Sequence, residues 1–278
     1  MKFMLRLLIT ILVLSVVSCQ SPSVNSAHVP DGYTLQWSDE FEVSAIDTAS
    51  WTAGSLRDSR YGDLVPGAKG DHLLNDHYAG YITTEDSYLE NGSLVLRNQK
   101  RSYTGHNPAG TYSYTSGWVM SMHKIYFNKG YLEIKARFPT GDKVWPALWL
   151  IAEDLTWGPE WDIFEYFGYR EDVGFDNMGV HLYSAENQWH SAWLKQFDKT
   201  FRCDAWHIYG FEWTDQSATW YIDGKKVHEL LASQTKGWPD ENMYLVLNNG
   251  QRSESPDSAT VWPNALYIDY VKLYQKNK

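Results

Sequence analysis

Cysteine is nearly absent: Cys19 and Cys203 are the two in 278 residues. Helical periodicity is almost absent as well, and no Gly/Pro/Ser-rich linker or internal repeat interrupts the chain between Tyr33 and Tyr274. These absences exclude a disulfide-stapled scaffold, a helical bundle and a repeat array, and leave one domain held by its own core. Basic residues are also scarce, 24 Lys and Arg against 34 Asp and Glu, for a formal charge of −10. That balance argues against a nucleic-acid partner, which needs a basic footprint. No cluster of His, Cys and Asp has metal-ligand spacing, so a catalytic metal is not implied.

The longest apolar run, Leu7 to Val17, lies at the N-terminus behind Lys2 and Arg6. It is too short to cross a bilayer as a mature helix and reads as an export signal. Its end, Val16-Val17-Ser18-Cys19, resembles a lipobox, cleaved before a cysteine that then receives lipid. The expectation is a lipoprotein signal over 1–18, a polar tether over 19–30 and a single folded domain over 31–278, lipid-anchored at Cys19 in the envelope of a Gram-negative bacterium. The outer membrane is the expected location, on its periplasmic or surface side. Removing Lys2 and Arg6 with the signal leaves a charge of −12, and Cys203 has no second cysteine to pair with in the mature chain.

What the chain has in abundance is aromatic residues, 14 Trp and 19 Tyr, set in short runs of period two. Tyr131-Leu132-Glu133-Ile134-Lys135-Ala136-Arg137-Phe138 alternates cleanly, the pattern of a strand with one wet face. Asp223-Gly224 between two such runs marks a tight hairpin. Many short strands with turn signals predict an all-β fold, an antiparallel sandwich or jelly roll with a concave groove for an extended polymer. A monomer is the expected state.

One strand-like run is unusual. Glu160-Trp161-Asp162-Ile163-Phe164-Glu165 holds three carboxylates among apolar neighbours, with Lys143 and Arg170 as the nearby basic residues. Ionised carboxylates in an apolar strand are costly unless they are paired or functional. Paired carboxylates are the working parts of sugar hydrolysis. Simple alternation puts Glu160 and Asp162 on one face and Glu165 on the other. A β-bulge between Asp162 and Glu165 would return Glu165 to the acid face. The Cα chord would then be roughly 13 Å, which inward-leaning Glu side chains can close to the ~5–5.5 Å of a retaining pair.

These residues resemble family 16 of the glycoside hydrolases, the laminarinase, lichenase, agarase and carrageenase group. The likeness covers most of Tyr33–Gln275. Besides Glu160-x-Asp162-x-x-Glu165, it includes Trp37-Ser38-Asp39-Glu40-Phe41, Gly130-Tyr131-Leu132-Glu133, Trp145-Pro146-Ala147-Leu148-Trp149-Leu150, Trp206-His207, Trp220-Tyr221-Ile222-Asp223-Gly224 and Ile268-Asp269-Tyr270, in family order. The resemblance implies Glu160 as nucleophile, Glu165 as general acid/base and Asp162 as a helper that tunes the nucleophile. It implies substrate contacts at Trp145, Trp149 and His181, with Trp118, Trp157 and Trp189 as further candidates. It implies no cofactor for catalysis, and one structural calcium held by a carbonyl near Glu42, the Gly92 carbonyl and Asp269.

The implied activity is retaining endo-hydrolysis of a polysaccharide, with a β-1,3- or mixed-linkage β-glucan first. A galactan (agarose- or porphyran-like) or a host glycan is the alternative, and a non-catalytic lectin-like module on the same fold is a third reading. Trp161, where the signature usually has an aliphatic residue, and Leu245–Gly250 depart from the family pattern at places expected near sugar subsites. A sulfated substrate would require cations in the groove, and Lys124, Arg137, Lys143, Arg170 and Arg252 are the candidates.

Overall fold

The structure, a computed structural model, describes residues 27–54, 57–58, 62–63, 73, 78–153, 158–170, 175–194, 201–252 and 260–277. The signal over 1–18, Cys19 and Trp157 lie outside them, as does the side chain of Arg170. Among the described residues, a ten-stranded and an eight-stranded sheet form a nearly all-β sandwich of jelly-roll type. Pairing is antiparallel save for Gly80–Ile82, which runs parallel to Ala109–Ser116.

The eight-stranded sheet positions the acids. Seven of its strands are β1 (Thr52–Ala53), β2 (Trp118–Met120), β3 (Val144–Ala152), β4 (Glu160–Arg170), β5 (Phe175–Tyr183), β6 (Trp189–Trp193) and β7 (Met243–Gln251). Their spatial order is β6-β5-β4-β3-β7-β2-β1, with Tyr126–Phe127 added beside β7. The acid-bearing strand therefore sits inside the sheet, with one strand, β5, between it and the edge strand β6.

Alternation along each strand divides the residues between core and groove. Leu148, Leu150, Trp161, Phe164, Val180, Leu182 and Leu247 face Leu132, Ile134, Phe211, Trp220 and Ile268 of the other sheet in one continuous core. Trp161 is fully buried there, with ring centroids 5.4 Å from Phe211, 5.8 Å from Trp220 and 5.2 Å from Trp238. This corrects the expectation that Trp161 lies near a sugar subsite. As neighbour to both Glu160 and Asp162, it must point away from them.

Two further expectations change. The strand Gly130–Arg137 has no wet face at its start, because Tyr131 and Glu133 are both fully buried. Tyr33, Tyr274 and Tyr221 pack over Tyr131, and the Tyr270 hydroxyl donates to Glu133 at 2.9 Å. The tether also ends earlier than residue 30. Val29 packs on that tyrosine layer and the His28 carbonyl accepts from the Tyr131 hydroxyl at 3.2 Å. The Asp223-Gly224 turn joins Ser217–Ile222 to Lys225–Leu231 with φ of 49° and 73°, the left-handed pair such a turn requires.

Candidate active site

β4 carries the bulge. Against β3, Glu165 lies opposite Ala147, Phe164 opposite Leu148, and Asp162 opposite Trp149, so Ile163 is the extra residue. On the other side, Asp162 pairs with His181 and Glu165 with Gly179. Ile163 and Phe164 both enter the core, each at most 1% exposed. Two successive inward residues reverse the phase of the strand and return Glu165 to the face of Glu160 and Asp162. The apolar pair thus fixes the bulge, because unbulged pairing would bury Glu165 among aromatic rings.

The three carboxyls are 6%, 6% and 8% exposed, so each is largely withdrawn from water. Burial, reinforced by the charge of Asp162, raises the Glu165 pKa well above the ordinary carboxyl range. The Trp145 indole Nε1 donates to Glu165 Oε1 at 2.7 Å and, with the charge of Arg252, partly opposes that rise. Burial also raises Asp162, together with the charge of Glu160 and a hydrogen bond to it. Asp162 and Glu160 therefore form a coupled pair that retains a proton more readily than an isolated carboxyl would.

His181 approaches Glu165 from β5, with Nε2 3.3 Å from Oε2. Burial lowers its pKa to about 4, so the imidazole is neutral near neutral pH. Its Nδ1 lies 2.8 Å from Ser191 Oγ on β6. Gly179 lies two residues from His181 along β5. A Cβ there would stand 2.6 Å from His181 Nε2, so only glycine leaves the ring room beside Glu165.

The predicted aromatics separate into layers. Trp145 is half-buried, touches Glu165, and stacks on Tyr78 with centroids 4.7 Å apart and planes at 4°. Trp149 is 7% exposed, stands opposite Asp162 and donates Nε1 to Asn248 Oδ1 at 2.7 Å. It forms part of the floor. Trp118 is 1% exposed and packs edge-on behind Trp149 at 5.8 Å, so it supports that floor without lining the groove. Trp189 lies on the edge strand β6 and is 58% exposed.

Sequence reasoning missed Tyr78, Ser191, Trp193 and Phe167 as site residues. Tyr78 bridges to Arg252, whose guanidinium lies 5.3 Å from the Trp145 ring centre. Burial and the charges of Glu165, Glu160 and Asp162 raise the Tyr78 phenol well above its usual pKa, so it stays a proton donor facing them. Nothing in the local sequence marks it. Ser191 and Trp193 did have a signal, the period-two run Trp189-x-Ser191-x-Trp193.

At the implied calcium position, the left-handed Asn91-Gly92 turn precedes the strand Ser93–His106, whose Leu94 pairs with Ile268, the residue before Asp269. Asp269 Oδ2 accepts the Lys135 ammonium at 2.8 Å. Among the described residues no group of three or more His, Cys, Asp and Glu side chains could hold a metal.

The profile of the Glycosyl hydrolases family 16 matches residues 75–272, which include every acid and aromatic just described. The chain belongs to that family. A glucan endo-1,3-beta-glucosidase A1 of Niallia circulans is 26% identical over 272 residues, covering 88% of this chain and 38% of that protein. A keratan-sulfate endo-1,4-beta-galactosidase of Sphingobacterium multivorum is 26% identical over 255 residues, covering 87% of this chain and 55% of that protein. The chain thus spans well under two thirds of either relative. The laminarinase catalytic domain from Thermotoga maritima MSB8 superposes with a TM-score of 0.72 at 26% identity, over 89% of this chain and all of that one. The jelly roll and the family are therefore shared with glycoside hydrolases, and no cofactor is needed for their chemistry.

Proposed function

We propose that this family 16 chain is an endo-acting, retaining β-glycanase. The observation that carries the reading is the bulge. It sets Glu160 and Glu165 on one face, with Glu165 desolvated and held by Trp145 and His181. Glu160, with the proton of the coupled pair resting on Asp162, attacks the anomeric carbon as Glu165 protonates the departing glycosidic oxygen. The bond to the leaving sugar breaks and a glycosyl ester forms on Glu160. Glu165, now a carboxylate, takes a proton from water, whose oxygen displaces Glu160 with net retention. Proton NMR in the first minutes of hydrolysis tests this: the β-anomer of the new reducing end is expected first, and an initial α-anomer refutes it.

A neutral β-1,3- or mixed-linkage glucan is the favoured substrate. Of the candidate cations, Lys124 is tied to the carbonyls of Thr48 and Trp51, and Arg137 stacks on Tyr267 of the other sheet. Among the described residues, Arg252 is the one cation whose charge bears on Glu165. That one cation, with the keratan-sulfate relative, favours a galactan or host glycan as the second reading. Laminarin, lichenan, agarose, porphyran and keratan sulfate compared at equal mass by reducing-end release decide between them.

Two features of the reading lie away from the groove. Lipidation at Cys19 rests on the Val16-Val17-Ser18-Cys19 signal, and a fatty-acid probe should label the wild type and miss Cys19→Ala. Calcium at Gly92 and Asp269 would have to displace Lys135 from Asp269. Thermal denaturation with and without a chelator checks it, an unchanged Tm counting against a bound ion.

A further inference from the structure

The edge strand β6 exposes Trp189, Ser191 and Trp193, the two tryptophans at 58% and 43%. Large aromatic rings at such exposure, two on one short strand, are an apolar cost unless something covers them. The register shows which face they occupy. Glu160 pairs with Tyr183 and Tyr183 with Trp189; Glu165 pairs with Gly179 and Gly179 with Trp193. Both tryptophans therefore share the face of the acids, each in line with one of them. Two strand spacings, about 10 Å, separate β6 from β4.

Neighbouring rings orient the pair. Trp193 stands edge-on to Phe167 at 5.1 Å and to His181 at 5.6 Å, so its support is continuous with the acid/base. Trp189 packs on Tyr183 at 4.8 Å, and the Tyr183 hydroxyl donates to Asn187. The scissile bond must lie between Glu160 and Glu165, which are spaced along β4, so the bound polymer crosses the strands. A chain leaving over β6 then passes between the Trp189 row and the Trp193 row.

We infer that Trp189 and Trp193 form a distal sugar-binding site, two aromatic walls that hold the polysaccharide where it leaves the sheet at β6. The inference rests on the hydrolase reading above and adds a substrate-length requirement to it. The occupant is the substrate chain itself, because the apolar face of a pyranose ring is the surface that stacks on indole, and because these rings continue the row of the acids. Stacking on indole needs no charge on the sugar, so the walls serve a neutral chain in either linkage class.

The test uses the full chain in a Glu165→Gln background, titrated with β-1,3-gluco-oligosaccharides of increasing length and read by tryptophan fluorescence and calorimetry. Affinity should rise with length until rings reach β6, and Trp189→Ala or Trp193→Ala should weaken the longest ligand by about tenfold. Trp206→Ala is the control, since Trp206 is 40% exposed and lies beside Arg137 on the other sheet. In the cleaving enzyme, the ratio of kcat/KM on long over short chains should fall in both wall variants and hold in the control. Circular dichroism and Tm verify that each variant is folded. A length dependence identical to wild type in both wall variants would overturn the inference and leave the hydrolase standing. A wild type that cleaves neither glucan nor galactan would overturn the hydrolase, and this inference with it.

Discussion

Two buried carboxylates, one in the site sheet and one beside the other sheet, meet opposite fates. Asp86, beside the ten-stranded sheet, is 0% exposed, and Glu165 in the groove is 8% exposed. Burial pushes both upward, but Asp86 accepts from Thr83 at 2.6 Å, Gln99 at 2.7 Å, Arg97 at 2.8 Å and Arg101 at 3.1 Å. Those bonds outweigh desolvation and hold its pKa below the ordinary value. Glu165 has the Trp145 indole and a neutral histidine, with Asp162 beside it, and its pKa rises. Burial alone therefore does not decide whether an acid is structural or reactive. The number and charge of its donors do.

The largest effect that could break this contrast is on turnover. Glu160→Gln and Glu165→Gln should each lower kcat by at least about a thousandfold on any cleaved glycan, since each removes a distinct chemical role. The folded state should respond in the opposite sense. With its pKa raised on folding, Glu165 withdraws stability as pH climbs from the ordinary carboxyl range through its folded value. Glu165→Gln should therefore have a higher Tm than wild type at pH 8, with the gap closing toward pH 4. A lower Tm at pH 8 would mean that Glu165 is a stabilising acid like Asp86.

Asp86→Asn should do the converse, destabilising the chain by about 3 kcal/mol because Arg97 and Arg101 would face an uncharged partner in a buried site. Here the pKa is depressed, so the stability it gives is present above the ordinary carboxyl value and lost as pH falls through the folded one. Urea titrations at pH 7 and pH 3 measure this, and kcat per folded molecule should hold at wild-type level. A destabilisation that persists unchanged at pH 3 would refute the charged network.

Much of this was legible in the sequence. The need for Glu165 to join its neighbours implied the bulge, and Asp223-Gly224 gave its hairpin. The fate of each tryptophan was not, because both faces of the site sheet are aromatic, one lining a core and one a groove. Trp118 and Trp149 show how two indoles of similar spacing become support and floor. Trp161 could have been read correctly, as strand alternation turns it from the acids. Tyr78 could not, since it reaches the groove by a bridge to Arg252, more than 170 residues away.

A smaller change sharpens the comparison by adjusting donors at Glu165. Arg252 lowers the Glu165 pKa, so removing its charge should let that pKa climb further. The acid form is required for the first step, and activity is lost as pH rises through that value. Arg252→Met should therefore shift the alkaline limb of kcat/KM to higher pH on a neutral glucan. An alkaline limb that stays put or moves to lower pH would show that the guanidinium does not act on Glu165.

The smallest expected effect concerns Ser191, which touches Glu165 only through His181. With the imidazole neutral, one ring nitrogen carries the proton, and the 2.8 Å contact to Ser191 Oγ selects which. If the serine hydroxyl donates to Nδ1, then Nε2–H faces Glu165 and favours its carboxylate. If Nδ1–H donates to the serine, Nε2 accepts from the protonated acid. Both states are needed in turn, since Glu165 must give a proton and later take one. Ser191→Ala removes the partner that accommodates both. Water can reach this exposed edge and substitute in part, so the loss in kcat/KM should stay below about tenfold. The diagnostic is the shape of the profile: the pH limbs should move relative to wild type while Tm is held. A serine that is merely part of the surface would leave both limbs where they were.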